Sequence, residues 1–257
     1  MSGIYIHIPF CKQACFYCDF HFSTSLKKKD ELISSLIYEI ELRKNELNNE
    51  VIETIYFGGG TPTVLEVSEL SIILDVIYDI YNVSINPEVT LEANPDDLDS
   101  DTIIALSKTR INRLSIGIQS FHDSDLVSMN RAHDSEEAKQ CLKIAASYFD
   151  NITIDLMYGM PAMTVELWSH NLQTAFSFGV KHLSCYAMTV EPQTVLEHFI
   201  KKGCHPPMDD ELAAQHFKVL IEETSQQGLI HYETCSFGSP GYFSKHNTSY
   251  WLGKPYL

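Results

Sequence analysis

The sequence predicts an α/β fold of parallel βα units wound into a barrel-like arrangement. Two observations carry that expectation. Short apolar runs of strand length alternate with longer segments whose apolar residues recur at helical spacing. Each strand-like run then ends in something chemically unusual, which is where a β/α barrel places its active site. No internal repeat of fixed period and no low-complexity linker interrupts the pattern.

Taken in order, residues 3–8 form the first strand and run into a loop holding Cys11, Cys15 and Cys18. Residues 30–48 place Leu32, Ile33, Leu36, Ile37, Ile40 and Leu47 on one helical face. A second strand at 53–57 enters Gly58-Gly59-Gly60-Thr61-Pro62. Ser68 is the expected N-cap of the next helix, with Leu70, Ile73, Leu74 and Ile77 facing inward. A third strand at 88–92 is stopped by Ala93-Asn94-Pro95, and a helix at 99–108 precedes a fourth strand at 113–118. Asp134 and Glu137 read as a capping box, opening a helix with the stripe Ala138, Cys141, Leu142, Ala145 and Phe149. The fifth strand spans 152–157. Thr164 opens the following helix and Gly179 closes it as a C′ residue. The sixth strand lies at 182–187, a long helix at 209–227 ends at Gly228, and residues 231–237 suggest one more strand. The six strand ends carry the cysteine loop, the Gly58-to-Thr61 turn, Glu92, Gln119, Asp155 and the 189–192 run.

Composition narrows the function classes. A chain of 257 residues with 44% hydrophobic and 20% charged residues suits one large soluble domain. A formal charge of −16 argues against a nucleic-acid partner, whose backbone calls for clustered Lys and Arg. Lys27-Lys28-Lys29 reads as a solvated helix start. No basic segment followed by an apolar run opens the chain, and no stretch has the length of a membrane span. Seven cysteines, an odd number with three in one tight group, suit a reducing cytoplasm better than a disulfide framework.

Cys11, Cys15 and Cys18 have the spacing C-x3-C-x2-C, with Tyr17 just before the last. An iron–sulfur cubane usually takes one thiolate per iron, so three cysteines leave one iron open for chemistry. A structural zinc would want a fourth ligand, for which His7 and His21 are the nearest candidates.

This C-x3-C-x-aromatic-C run resembles the signature of the radical S-adenosylmethionine superfamily. The longer run Ile4-Tyr5-Ile6-His7-Ile8-Pro9-Phe10-Cys11 resembles one branch, the oxygen-independent coproporphyrinogen III oxidases and related haem chaperones of the HemW type. The resemblance implies a partial (β/α)6 barrel, a 4Fe–4S cluster on Cys11, Cys15 and Cys18, and S-adenosylmethionine at the open iron. It also implies cofactor contacts. Gly59, Gly60 and Thr61 match the turn that takes the amino-acid end, and Tyr17 matches an adenine contact. Tyr5 matches a cofactor-contacting tyrosine, and Glu92 and Gln119 match polar positions of the cleft. Arg131 matches the partner of the cofactor carboxylate and Asp155 the acid at the ribose.

Within the branch, the oxidases carry a fourth cysteine two residues after the third, where Phe20 stands here, and a substantial segment before the motif that is absent here. Both departures match the chaperones. So does His246-Asn247-Thr248-Ser249-Tyr250-Trp251, which resembles the H-N-x-x-Y-W pattern associated there with haem. On that reading His246 is a candidate axial ligand (another His or a Cys being the alternative), Tyr250 and Trp251 are stacking faces, and Lys245 and Lys254 are propionate partners. The resemblance therefore implies haem as cargo and a haem acceptor as partner, reached by transient membrane contact if that acceptor is membrane-bound. The enzyme alternative is conversion of coproporphyrinogen III to protoporphyrinogen IX. The expected organisation is a barrel domain over residues 1–228 and, over 229–257, the start of a further C-terminal region that relatives continue, so a truncated chain is expected.

Overall fold

The computed structural model describes residues 2–257. One sheet runs through it in the order β1-β2-β3-β4-β5-β6-β8-β7. The six strands β1 (Ser2–Ile8), β2 (Ile52–Gly59), β3 (Val83–Ala93), β4 (Arg113–Gln119), β5 (Asn151–Tyr158) and β6 (His182–Ala187) pair in parallel, each with its neighbour in sequence. The connections contain α1 (Lys29–Leu42), α2 (Val67–Ile80), α3 (Ser100–Leu106), α4 (Asp123–Ser128), α5 (Ser135–Tyr148) and α6 (Val165–Ser177). After β6 come α7 (Val195–Lys201), α8 (Asp210–Gln226), β7 (Ile230–His231), β8 (Ser236–Gly238) and α9 (Lys245–Trp251).

The period of two along each strand gives this curled sheet a helix-covered outer face and a polar concave face. Ile55 and Phe57, Val89 and Leu91, Leu114 and Ile116, Ile154 and Leu156 are all fully buried on the face covered by helices. The alternate positions are mostly polar or small: Thr54, Tyr56 and Gly58; Glu88, Thr90 and Glu92; Arg113, Ser115 and Gly117; Thr153 and Asp155. These bond across the concave face, as between Tyr56 and Glu92 or Thr153 and His182. The sheet does not close. The outer edge of β1 instead bonds to residues 255–257, through Gly3 N–H to Pro255 O (3.1 Å), Tyr5 N–H to Leu257 O (2.9 Å) and Leu257 N–H to Gly3 O (3.0 Å).

Most element expectations hold, and the departures have local causes. Asp134 and Glu137 form the capping box of α5, Thr164 caps α6 by accepting from Leu167 N–H, and Asp209 caps α8. Gly179 and Gly228 have φ of +71° and +75°, as their closing roles require. Helix α1 stops at Leu42 rather than near residue 48, although Leu47 is still buried. The N-cap of α2 is Glu66, whose N–H donates to Glu69 Oε2 at 2.7 Å, and Ser68 lies inside the helix. Residues 231–237 make two short strands, β7 and β8, with β8 antiparallel to β6. Helices α4 and α7 are too short to announce themselves by periodicity.

Candidate cofactor site

The carboxyl ends of the six strands open on one cavity of about 640 Å³. Its lining includes Cys11, Cys15, Tyr17, Cys18, Gly59, Gly60, Thr61, Glu92, Gln119, Arg131 and Asp155. Every expected cluster and S-adenosylmethionine residue is therefore brought to one place except Tyr5. Tyr5 is outside the lining, its ring stacked on Tyr56 at 6.0 Å.

The cysteine loop is tied at both ends and in the middle. Cys11 N–H donates to Ser23 O at 3.1 Å and Ser23 N–H to Pro9 O at 2.9 Å, closing the loop on itself. Phe16 N–H donates to Met129 O at 3.1 Å, and Asn130 Nδ2 to Ala14 O at 2.7 Å. Asn130 turns the chain with a φ of +57°, and Arg131 follows it. The turn that anchors the loop thus also delivers the guanidinium to the cavity.

All three thiols are free and half-buried. Thr61 Oγ1 lies 3.5 Å from Cys11 Sγ and Arg131 Nη1 lies 3.3 Å from Cys15 Sγ, so each sulfur has a donor suited to a thiolate. Burial pushes the Cys11 and Cys18 thiols above their ordinary range, a bias that a bound metal reverses. Among the described residues no three His, Cys, Asp or Glu side chains converge on a point that would hold one metal ion. His7 is exposed, with Nδ1 on the Tyr5 hydroxyl at 3.1 Å, and His21 is exposed. A cubane instead takes one thiolate per iron and does not ask the sulfurs to share a point.

The glycine turn is shaped by what its side chains would strike. A Cβ on Gly59 would meet the His7 ring at 2.7 Å, and its φ of +112° suits glycine. A Cβ on Gly60 would meet Phe10 O at 2.6 Å and Cys11 Sγ at 3.0 Å. The turn is pinned against the cysteine loop by Gly60 N–H to Ile8 O (2.9 Å) and Thr61 N–H to Phe10 O (2.7 Å).

Two acids line the cavity. Burial raises Glu92 to about 7, against the Tyr56 hydroxyl and Gly59 N–H that favour its charged form. Burial likewise raises Asp155 to about 6, against Ser184, Arg113 and Arg131. Arg131 donates from Nη2 to Asn94 Oδ1 at 2.6 Å and Gly117 O at 2.8 Å, while its buried Nε has no partner. Arg131 lines the cavity, and a guanidinium there fits a carboxylate ligand. Gln119 ends β4 with a φ of +65°, a conformation rarely kept by non-glycine residues away from functional positions.

Sequence reasoning missed Asn94, which bridges Arg131 to Thr61 Oγ1 at 3.1 Å. Its place in Asn94-Pro95, directly after a strand, was the available signal. Ser115, Tyr186 and Met188 also line the cavity and carried no signal beyond nearness to strand ends.

The His246 run lies at the opposite end of the barrel and is a helix, α9, rather than a loop. His246 is 2% exposed. Its Nδ1 pairs with Thr54 Oγ1 and its Nε2 with the Tyr250 hydroxyl, each at 2.8 Å, and its backbone N–H donates to Glu88 at 3.0 Å. Burial lowers its pKa to about 4, so the ring is neutral. Both nitrogens being engaged, His246 is not presented as an axial ligand in this conformation. Tyr250 and Trp251 are exposed by 41% and 67%.

A model of the Radical SAM superfamily matches residues 5–174. The chain is 35% identical to the "Heme chaperone HemW" of Bacillus subtilis, covering 100% of this chain and 69% of that protein. It is 32% identical to that of Escherichia coli, covering 99% and 67%. Among solved structures, the coproporphyrinogen III oxidase HemN of Escherichia coli superposes with a TM-score of 0.84 at 24% identity, over 98% of this chain and 58% of that one. That likeness shows the shared open barrel fold. No helix among the described residues is long and apolar enough to cross a membrane. Membership implies a 4Fe–4S cluster and S-adenosylmethionine, which the cavity residues fit. The chain belongs to the Radical SAM superfamily and, within it, to the HemW haem-chaperone family.

Proposed function

We propose that this protein binds haem and passes it to an acceptor, while keeping the cofactor site of its superfamily. The observation that carries the reading is identity of 30–35% over nearly the whole chain to curated haem chaperones. The cavity supports it at one position. Phe20, where the oxidases would place a further cysteine, is 69% exposed at the cavity rim. The second reading, oxidation of coproporphyrinogen III, draws on the fold shared with HemN.

In this proposal Cys11, Cys15 and Cys18 hold the cluster. Gly59, Gly60 and Thr61 receive the amino-acid end of S-adenosylmethionine, and the Arg131 guanidinium lining the cavity pairs with the carboxylate. Glu92 suits the ammonium, Asp155 the ribose hydroxyls and Tyr17 the adenine. When bound, the pair supplies one-electron chemistry. The chain's own residues bind, orient and shield: Arg131 holds Cys15 while Thr61 holds Cys11.

Haem contact is proposed on the exposed Tyr250 and Trp251, with Lys245 and Lys254 for the propionates. The His246 ring would ligate iron only after leaving Thr54 and Tyr250. The acceptor in this proposal is a haem-binding protein, and the site of transfer is the cytoplasm.

Anaerobic incubation with reductant, S-adenosylmethionine and coproporphyrinogen III separates the two readings, paired with a haem titration. The proposal expects saturable haem binding near one per chain and no catalytic product. Protoporphyrinogen accumulating over many turnovers would replace it with the oxidase reading.

A further inference from the structure

We propose that Tyr56 is a positioning residue that sets Glu92 for the cofactor and that α9, at the far end of the barrel, reaches the cavity through it. This rests on the reading of Glu92 as a cofactor-facing carboxylate. Tyr56 is 7% exposed, and its hydroxyl donates to Glu92 Oε1 at 2.7 Å. The other carboxylate oxygen accepts the Gly59 N–H at 3.2 Å, so the acid is held between the glycine turn and one buried tyrosine.

Behind Tyr56 the packing continues without a break to α9. The His246 ring lies 5.0 Å from the Tyr56 ring, inclined by 29°, and Tyr5 covers both at 6.0 and 6.3 Å. His246 is fixed through Thr54, Tyr250 and Glu88. The stack has no slack at its upper end. A Cβ on Gly58 would meet Tyr5 and Tyr56 at 3.0 Å and Glu92 at 3.1 Å. A shift of the His246 ring therefore moves Tyr56 or leaves a void beneath it, and either change alters the hydroxyl that holds Glu92.

The chemistry of that hydroxyl gives the link a direction. Donation by Tyr56 favours the ionised carboxylate, the form an ammonium needs. The titratable groups around the acid are Tyr5 on β1, Arg113 on β4, Asp155 on β5, Tyr186 on β6 and Tyr250 on α9, the tyrosines kept neutral by burial and Arg113 and Asp155 acting on it through their charge. Of these Arg113 is the cation, and it spends a guanidinium N–H on Thr153. Tyr56 and Gly59 are thus the direct donors to the acid.

The test is equilibrium binding of S-adenosylmethionine to the anaerobically reconstituted full chain, from about pH 5.5 to 8.5 across the Glu92 transition. The variants are Tyr56→Phe, His246→Gln and Glu92→Gln, each checked for cluster absorption and thermal melting. Wild-type affinity falls as pH drops through the Glu92 transition. Tyr56→Phe is expected to weaken binding about tenfold at pH 7 and move the midpoint upward, with affinity recovering at high pH. A purely structural role would lower affinity evenly across pH. His246→Gln should move the midpoint the same way by less, and Glu92→Gln should flatten the profile. An unchanged midpoint in Tyr56→Phe overturns the inference, and in His246→Gln alone it overturns the α9 part. Unchanged binding in Glu92→Gln overturns the underlying reading of Glu92 instead. Should Tyr56→Phe lose its cluster, the His246→Gln midpoint decides.

Discussion

The mouth and the floor of the barrel hold similar kinds of residue in opposite conditions. At the mouth, three free thiols, two acids of raised pKa and a guanidinium with an unpartnered N–H surround an open cavity. At the floor, His246 is sealed by Thr54, Tyr250 and Glu88, with every ring nitrogen engaged. Polar groups with unmet bonding capacity face a ligand, while polar groups with all capacity met hold the fold together. Cys11-to-Cys18 and His246-to-Trp251 both match functional motifs of the family in sequence. Only packing separates the open set from the satisfied one.

The largest expected effect is at the mouth. Cys11→Ala, Cys15→Ala or Cys18→Ala should each abolish cluster retention, measured as iron and sulfide after anaerobic reconstitution, because thiolate ligation holds the cluster. Melting should change little in the same variants, since each cysteine is half-exposed.

Next is Gly60→Ala. Its methyl would sit 2.6 Å from Phe10 O, a backbone atom that cannot rotate away. Overpacking of this kind costs about 1–3 kcal/mol. Here it is expected to push the turn off the cysteine loop and lower S-adenosylmethionine affinity at least about tenfold. Affinity equal to wild type would show that the turn does not shape the site.

The floor should respond in the opposite sense. His246→Ala should cost roughly 2–3 kcal/mol through lost bonds to Thr54 and Tyr250, or about 5–10 °C in Tm. Cluster iron and sulfide should be unaffected. Loss of the cluster with unchanged melting would invert the roles assigned to the two ends.

The same contrast can be sharpened through pH. His246 titrates near 4 when folded, below its ordinary 6.5. The unfolded chain therefore gains a proton first as pH falls, and His246 loses stability for the fold between about 6.5 and 4, by up to about 3 kcal/mol. Glu92 and Asp155, raised to about 7 and about 6, act oppositely and gain stability as they protonate. Asp155 is common to wild type and His246→Gln, and an upward shift of Glu92 in the variant adds stability to it as pH falls, which acts in the same direction as the loss from His246. The stability gap between the two proteins should shrink as pH falls through that window, measured by urea unfolding at several pH values.

The sequence made the fold legible because its period-two strands and capped helices are local signals. Asp134 with Glu137, Thr164 and Asp209 announced helix starts without any knowledge of tertiary packing. Most cavity residues were legible because they lie near the carboxyl end of a strand, and parallel strands deliver those ends to one side. What escaped was non-local. Asn94 joins Arg131 to Thr61 only once three separate loops meet. The condition of His246 depends on Thr54 and Glu88, more than a hundred residues away in the chain. Tyr5, matched by motif to the cofactor, instead packs between Tyr56, His7 and His246 outside the cavity lining.

The central claim is that the mouth holds a cluster with three protein thiolates and one iron left for S-adenosylmethionine. Electron paramagnetic resonance of the chemically reduced, reconstituted protein tests it most directly, recorded with and without saturating S-adenosylmethionine. The account predicts a cubane signal whose shape changes when S-adenosylmethionine is added and which is absent from Cys18→Ala. A signal indifferent to S-adenosylmethionine, or a protein that takes up zinc but no iron and sulfide, would contradict it.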